Sequence, residues 1–101
     1  MNDAITARWR AAPGAAIRPA ATVVVLRDAG ALQTLLLRRA AHGGDMLAGA
    51  SIFPGGALHP ADRAAHAYCI GLDDAAASER LGLESGGLDY YVAALRECFE
   101  E

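Results

Sequence analysis

The sequence predicts a mixed α/β domain, and three observations carry that expectation. Residues 21–26 (Ala-Thr-Val-Val-Val-Leu) are apolar or β-branched throughout, and residues 32–37 resume the apolar character after a turn signal at Asp28 and Gly30. This reads as two strands joined in a hairpin. Residues 88–101 separate apolar from charged side chains on a 3.6-residue period, the pattern of an amphipathic helix. The chain has 101 residues, 53% of them apolar, which allows a single core and is too apolar for disorder. Alanine accounts for 24 of those apolar positions, leaving about 30 larger ones, enough for one modest sheet-and-helix core.

Composition excludes several classes. No stretch approaches the ~20 apolar residues of a membrane-spanning helix. Nine basic residues, all arginine, face twelve acidic ones for a net charge of -3, and the only arginine pair is Arg38–Arg39. That balance argues against a nucleic-acid binder held by phosphate contacts. Cys69 and Cys98 form neither a CxxC nor a disulfide framework. The N-terminus carries Asp3, Arg8 and Arg10 with no apolar core of a signal peptide, so a reducing, cytoplasmic setting is expected.

Element by element, residues 1–19 read as a loose Ala-rich leader, with Trp9 as a local anchor. Residues 21–26 have the composition of a strand buried on both faces. Residues 27–31 turn the chain into the second strand, and residues 42–44 mark a loop. A short apolar step at Ile52 and Phe53 is stopped by Pro54-Gly55-Gly56. Residues 60–70 are helix-compatible, with Pro60 suited to the first turn. Asp73 and Asp74 are placed to cap a second short helix running through Arg80. Gly82, Gly86 and Gly87 loosen the chain before the last helix.

That last helix carries the chemistry. Glu97, Glu100 and Glu101 are related as i, i+3 and i+4 and share one face, with Arg96 on its flank. Tyr91, Val92, Leu95, Cys98 and Phe99 occupy the opposite arc. Like charges at this spacing, at the negative end of the helix dipole, oppose helix stability. Taken alone the trio reads as a solvated face; a hard cation such as Mg²⁺ or Mn²⁺ reverses the sign, because it takes carboxylate oxygens. The helix reaches Glu101 with no stop signal, which leads to the expectation that these residues form the N-terminal part of a longer protein.

At Phe53-Pro54-Gly55-Gly56 and at Arg96-Glu97-Cys98-Phe99-Glu100-Glu101 the sequence resembles the Nudix hydrolases. The family box runs Gly, five residues, Glu, seven residues, then Arg-Glu-apolar-x-Glu-Glu-x-Gly-apolar. Five residues separate Gly56 from Asp62, which stands where the box has Glu. Arg96, Glu97, Glu100 and Glu101 match the second half, with Cys98 in the apolar slot. Asp62 and Arg96 are 34 positions apart, so about 26 residues, at about 63–88, are inserted within the box. The box's closing x-Gly-apolar has no match in residues 1–101. Such an insertion after Phe-Pro-Gly-Gly is similar to the acyl-coenzyme A diphosphatases of the peroxisomal mammalian type and their bacterial relatives. Arg18-Pro19-Ala20-Ala21-Thr22-Val23-Val24-Val25-Leu26-Arg27 and Leu35-Leu36-Leu37-Arg38-Arg39 resemble that subgroup too, and the likeness spans roughly residues 17–101. The coenzyme A signature of some other members has an Arg in the loop where this chain has His42-Gly43-Gly44-Asp45.

The resemblance implies a Nudix-type α/β/α sandwich with a mixed sheet, of which residues 20–101 would be the N-terminal part. It implies a metal-dependent hydrolase acting on a small-molecule diphosphate, a nucleoside-diphosphate-linked substrate with coenzyme A or acyl-coenzyme A among the candidates. Glu97, Glu100 and Glu101 would ligate Mg²⁺ or Mn²⁺ with help from the Gly56 carbonyl, while Gly55 and Gly56 let the backbone approach metal and phosphate. Asp62 and Arg96 would pair to fix loop against helix. Glu97 has a second assignment, as the base that activates water. Arg38 and Arg39 stay open between solubilising charge and a phosphate contact. His42, His59 and His66 read as ordinary surface or loop residues, Cys98 as packing, and Cys69 as no nucleophile. The alternative function is a non-catalytic Nudix-fold module that binds a nucleotide or a protein. The isolated fragment is expected to be poorly folded and inactive.

Overall fold

A computed structural model describes residues 16–40 and 49–101. Most of the leader, Trp9 included, and the loop at 42–45 lie outside the described residues. Within them, strands are β1 (Ala20–Thr22), β2 (Leu26–Asp28), β3 (Leu32–Thr34), β4 (Leu37–Arg38), β5 (Ser51–Ile52) and β6 (Gly55–Ala57). Helices are α1 (Ala61–Ala64), continued by a 3₁₀ turn (Ala65–Tyr68), then α2 (Asp74–Leu81) and α3 (Gly87–Glu100). The chain is mixed α/β, as its pattern predicts.

The strands are short because three extended segments share their pairing. β2 and β3 form the expected antiparallel hairpin, Leu26 opposite Thr34 and Asp28 opposite Leu32. Gly30 donates to Asp28 Oδ1 within its turn at 3.3 Å. β1 instead pairs antiparallel with β6, Ala21 opposite Gly56, and the amide of Val23 extends that ladder to the Pro54 carbonyl. β4 pairs with β5, Arg38 opposite Ser51. Each segment thus leaves one partner for another midway along its length.

Burial corrects the expectation for the first strand. Ala21 is buried, but Val24 and Leu26 are 53% and 56% exposed. The reason is coverage: α3 packs on β1 and β6, and residues 24–26 run out from under it. The helical expectation for residues 60–70 is also modified, since the α-helix lasts one turn before tightening to 3₁₀ winding. For α2 the sequence reading holds. Asp73 is its N-cap and accepts from the Ala76 amide at 2.8 Å, with Gly82 as the C-cap.

The small core lies where α2 crosses α3. Ala77 and Ala93 are fully buried and Leu88 is 3% exposed. Gly86, the N-cap of α3, has no side chain to satisfy the first amides, and a helix start leaves those donors unpaired. α2 supplies the acceptors. Asp74 takes the amides of Gly86 and Leu88 at 3.0 Å each, and Ser78 Oγ takes that of Gly87 at 2.8 Å. A Cβ on Gly87 would overlap the Ser78 backbone. Gly87 therefore joins two helices tightly, where the sequence reading has it loosening the chain.

Gly87→Ala should accordingly destabilise the protein by about 1–3 kcal/mol, the range for overpacking a tight contact. Exposed Glu79→Ala should stay within about 0.5 kcal/mol. Urea unfolding of the two variants checks this, and equal midpoints would refute the close approach.

Candidate metal-carboxylate site

Four residues accept from the Arg96 guanidinium, and two of them, Asp62 and Ala57, are distant in sequence. Asp62 is 1% exposed, and a buried carboxylate must be paired and hydrogen-bonded. Arg96 Nε donates to Asp62 Oδ1 at 2.6 Å and Nη2 to Oδ2 at 3.1 Å. The His59 amide donates to Oδ2 at 2.8 Å. Nη2 also reaches the Ala57 carbonyl at 3.0 Å, so the end of β6 is held by the same group. On the other side, Nη1 donates to Glu97 Oε1 at 2.9 Å and to Glu100 Oε2 at 3.2 Å.

Gly56 completes the arrangement. Its missing Cβ leaves room that the Glu97 carboxylate fills; any side chain there would collide with it. The structure therefore brings Gly56, Asp62, Arg96 and Glu97 together, with Glu100 one turn on and 54% exposed at its side chain. Glu101 is the C-cap, its amide bonded to the Glu97 carbonyl at 3.0 Å. Gly55 lies against Ala21 and Thr22 of β1 and not against the carboxylates. Among the described residues no three His, Cys, Asp or Glu side chains are grouped so as to hold a metal ion. The donor type suits a hard cation, but Arg96 spans Glu97 and Glu100 where such an ion would sit.

Other assignments fall elsewhere. Arg38 and Arg39 lie at the end of β4, opposite Ser51 and Ala50, on a different pairing from the one beneath Glu97. On α3 the exposed positions include Leu95 at 69% and Phe99 at 94%, while Arg96, Glu97 and Cys98 are half-buried. The polar flank of the helix thus faces β6 and α1. Both cysteines are free thiols. Within the described residues no helix is long and apolar enough to cross a membrane.

A second cluster escaped the sequence reading. Arg63 holds Asp89, in the first turn of α3, through Nε at 3.1 Å and Nη2 at 2.7 Å. His66 Nε2 stands 2.7 Å from Asp89 Oδ1. His66 is thus a half-buried neighbour of an ion pair, not an ordinary surface residue. The i, i+3 spacing of Arg63 and His66, read against an acidic first turn 26 positions on, was the available signal.

These contacts set charge states. The Arg96 hydrogen bonds hold the Asp62 carboxyl below the usual carboxylate range, against the opposing effect of burial. Arg63 does the same for Asp89, again against burial. The amides of Gly86 and Leu88 lower Asp74. Arg96 is raised above its ordinary value, first by Asp62 and then by Glu97.

A lowered carboxyl stabilises the fold above its unfolded value of about 3.9, and that stability is lost as pH falls through the lower, folded value. The urea midpoint should therefore hold between pH 7 and 5 and fall steeply below about pH 4. Asp62→Asn should lower the midpoint at pH 7 and flatten the acid limb. An unchanged acid limb would show that Asp62 is not lowered.

Compared as a whole, the chain matches no family model, no curated protein and no solved structure.

Proposed function

We propose that the chain carries the metal-binding half of a Nudix-type diphosphatase, which cleaves the phosphoanhydride of a nucleoside-diphosphate-linked small molecule. Coenzyme A or its acyl esters are the first candidates. One observation carries this reading: two sequence segments that resemble the halves of a split Nudix box, 34 positions apart, meet in space. Asp62 meets Arg96, and Gly56 meets Glu97, with the helix glutamates on the same side.

In this reading Glu97, Glu100 and Glu101 would hold Mg²⁺ or Mn²⁺, with the Gly56 carbonyl beside them. A bound divalent ion supplies charge neutralisation on the diphosphate and a water acidic enough to attack phosphorus. Asp62 and Arg96 lock the Gly56 turn against α3, so that carboxylates and turn keep their spacing. Glu97 keeps its second assignment, accepting the proton of the attacking water at a carboxylate oxygen. A non-catalytic binding module remains the second reading, favoured by the bridge that Arg96 Nη1 already makes between Glu97 and Glu100.

Hydrolysis of acyl-coenzyme A, ADP-ribose and NADH by the full-length protein, each with Mg²⁺ or Mn²⁺, separates the two. Metal-dependent turnover that falls by about 100-fold or more in Glu100→Gln is expected. A folded protein that binds Mn²⁺ and turns over none of them would move the assignment to the binding module. One that binds no Mn²⁺ would overturn the metal site itself.

A further inference from the structure

The segment from residue 19 to residue 28 pairs along one edge only. Its hydrogen bonds fall on odd-numbered positions: the Pro19 carbonyl accepts from Leu58, the Val23 amide donates to Pro54, and the Val25 carbonyl accepts from Leu35. The alternation of an antiparallel ladder turns the amides and carbonyls of Ala20, Thr22, Val24, Leu26 and Asp28 to the other edge. Among the described residues no strand pairs there, and the sheets of β1 and of β2 stay two-stranded. Val24 and Leu26 are exposed along it. An open apolar edge is a template for another strand, and a two-stranded ribbon is marginally stable until a third strand or a helix joins it.

We propose that this edge pairs antiparallel with the same edge of a second copy of the chain. Charge selects the occupant and the register. Outward positions must oppose outward positions, and in one such register Arg18 faces Asp28 of the second copy, while Asp28 faces its Arg18 by symmetry. Both residues are exposed. Ala20 then opposes Leu26, and Thr22 opposes Val24. Sliding by two residues either way leaves both charges unmatched. The outer edge of β3 offers no such match, since residues 31–37 carry no charge. Opposite Ala21 the same register sets Val25 of the second copy, beside a 410 Å³ groove that β1 shares with Leu81, Tyr90 and Tyr91.

Sedimentation equilibrium of the full-length protein, with amide exchange followed by NMR, tests this. A concentration-dependent dimer is expected, with the Thr22, Val24 and Leu26 amides protected. Val24→Pro removes an outward N–H without touching the ladder to β6, and should abolish the dimer while the circular dichroism spectrum is kept. Should that variant fail to fold, Val24→Lys leaves the backbone intact and should do the same. Arg18→Asp sets like charges opposite each other and should raise the dimer Kd about tenfold, and adding Asp28→Arg to it should restore the affinity. A dimer indifferent to the changes at Val24 or to Arg18→Asp would overturn the pairing. So would a monomer, whether its edge amides exchange freely or are protected by another segment of the chain or a bound peptide.

Discussion

A buried carboxylate governs the fold around the candidate site. Asp62 cannot stay charged out of water without donors, and it has three: two from the Arg96 guanidinium and one from the His59 amide. Satisfying it requires that the turn after β6, the first turn of α1 and the last half of α3 come together. Because Nη2 also reaches the Ala57 carbonyl, β6 is drawn in, and β1 follows through its pairing with β6. Removing one partner from such a pair leaves an uncompensated charge, which is far more damaging than the pair is stabilising.

The same constraint shapes the electrostatics. One guanidinium serves Asp62, Glu97 and Glu100, so the cluster keeps a negative surplus. Arg63 meets Asp89 one-to-one at the other end of α3, with 68% of its side chain exposed. An exposed pair like that adds little to stability. The two ends of α3 are thus anchored differently, by an ion pair near its start and by a charge-deficient network near its finish.

Local chemistry was legible in the sequence, and long-range geometry was not. The hairpin about Asp28 and Gly30, the Asp73 cap and the extent of α3 follow from neighbours within a few positions. The pairing of Asp62 with Arg96 was reached only through a resemblance, since nothing between the two residues signals their contact. The caps that Asp74 and Ser78 give to α3 span 9 to 14 positions, beyond any capping pattern. Periodicity showed that α3 is amphipathic but not which arc would be covered. Arg96 and Glu97 are half-buried through their contacts with Asp62 and Gly56, as are Tyr91, Val92 and Cys98 on the apolar arc, whereas Leu95 and Phe99 are exposed. Val24 and Leu26 are exposed for a related reason, since coverage belongs to the neighbouring element and not to the strand.

The helix start shared between α2 and α3 has a consequence for how the segment between α1 and α3 can vary. That segment holds the acceptors for Gly86, Gly87 and Leu88, and at Gly87 only a hydrogen fits against the Ser78 backbone. Removing the segment would strip α3 of the acceptors at its beginning. Residues 69–72, between the 3₁₀ turn and the Asp73 cap, supply none of those acceptors, so a change of length there should be tolerated where loss of Asp74 or Ser78 should not.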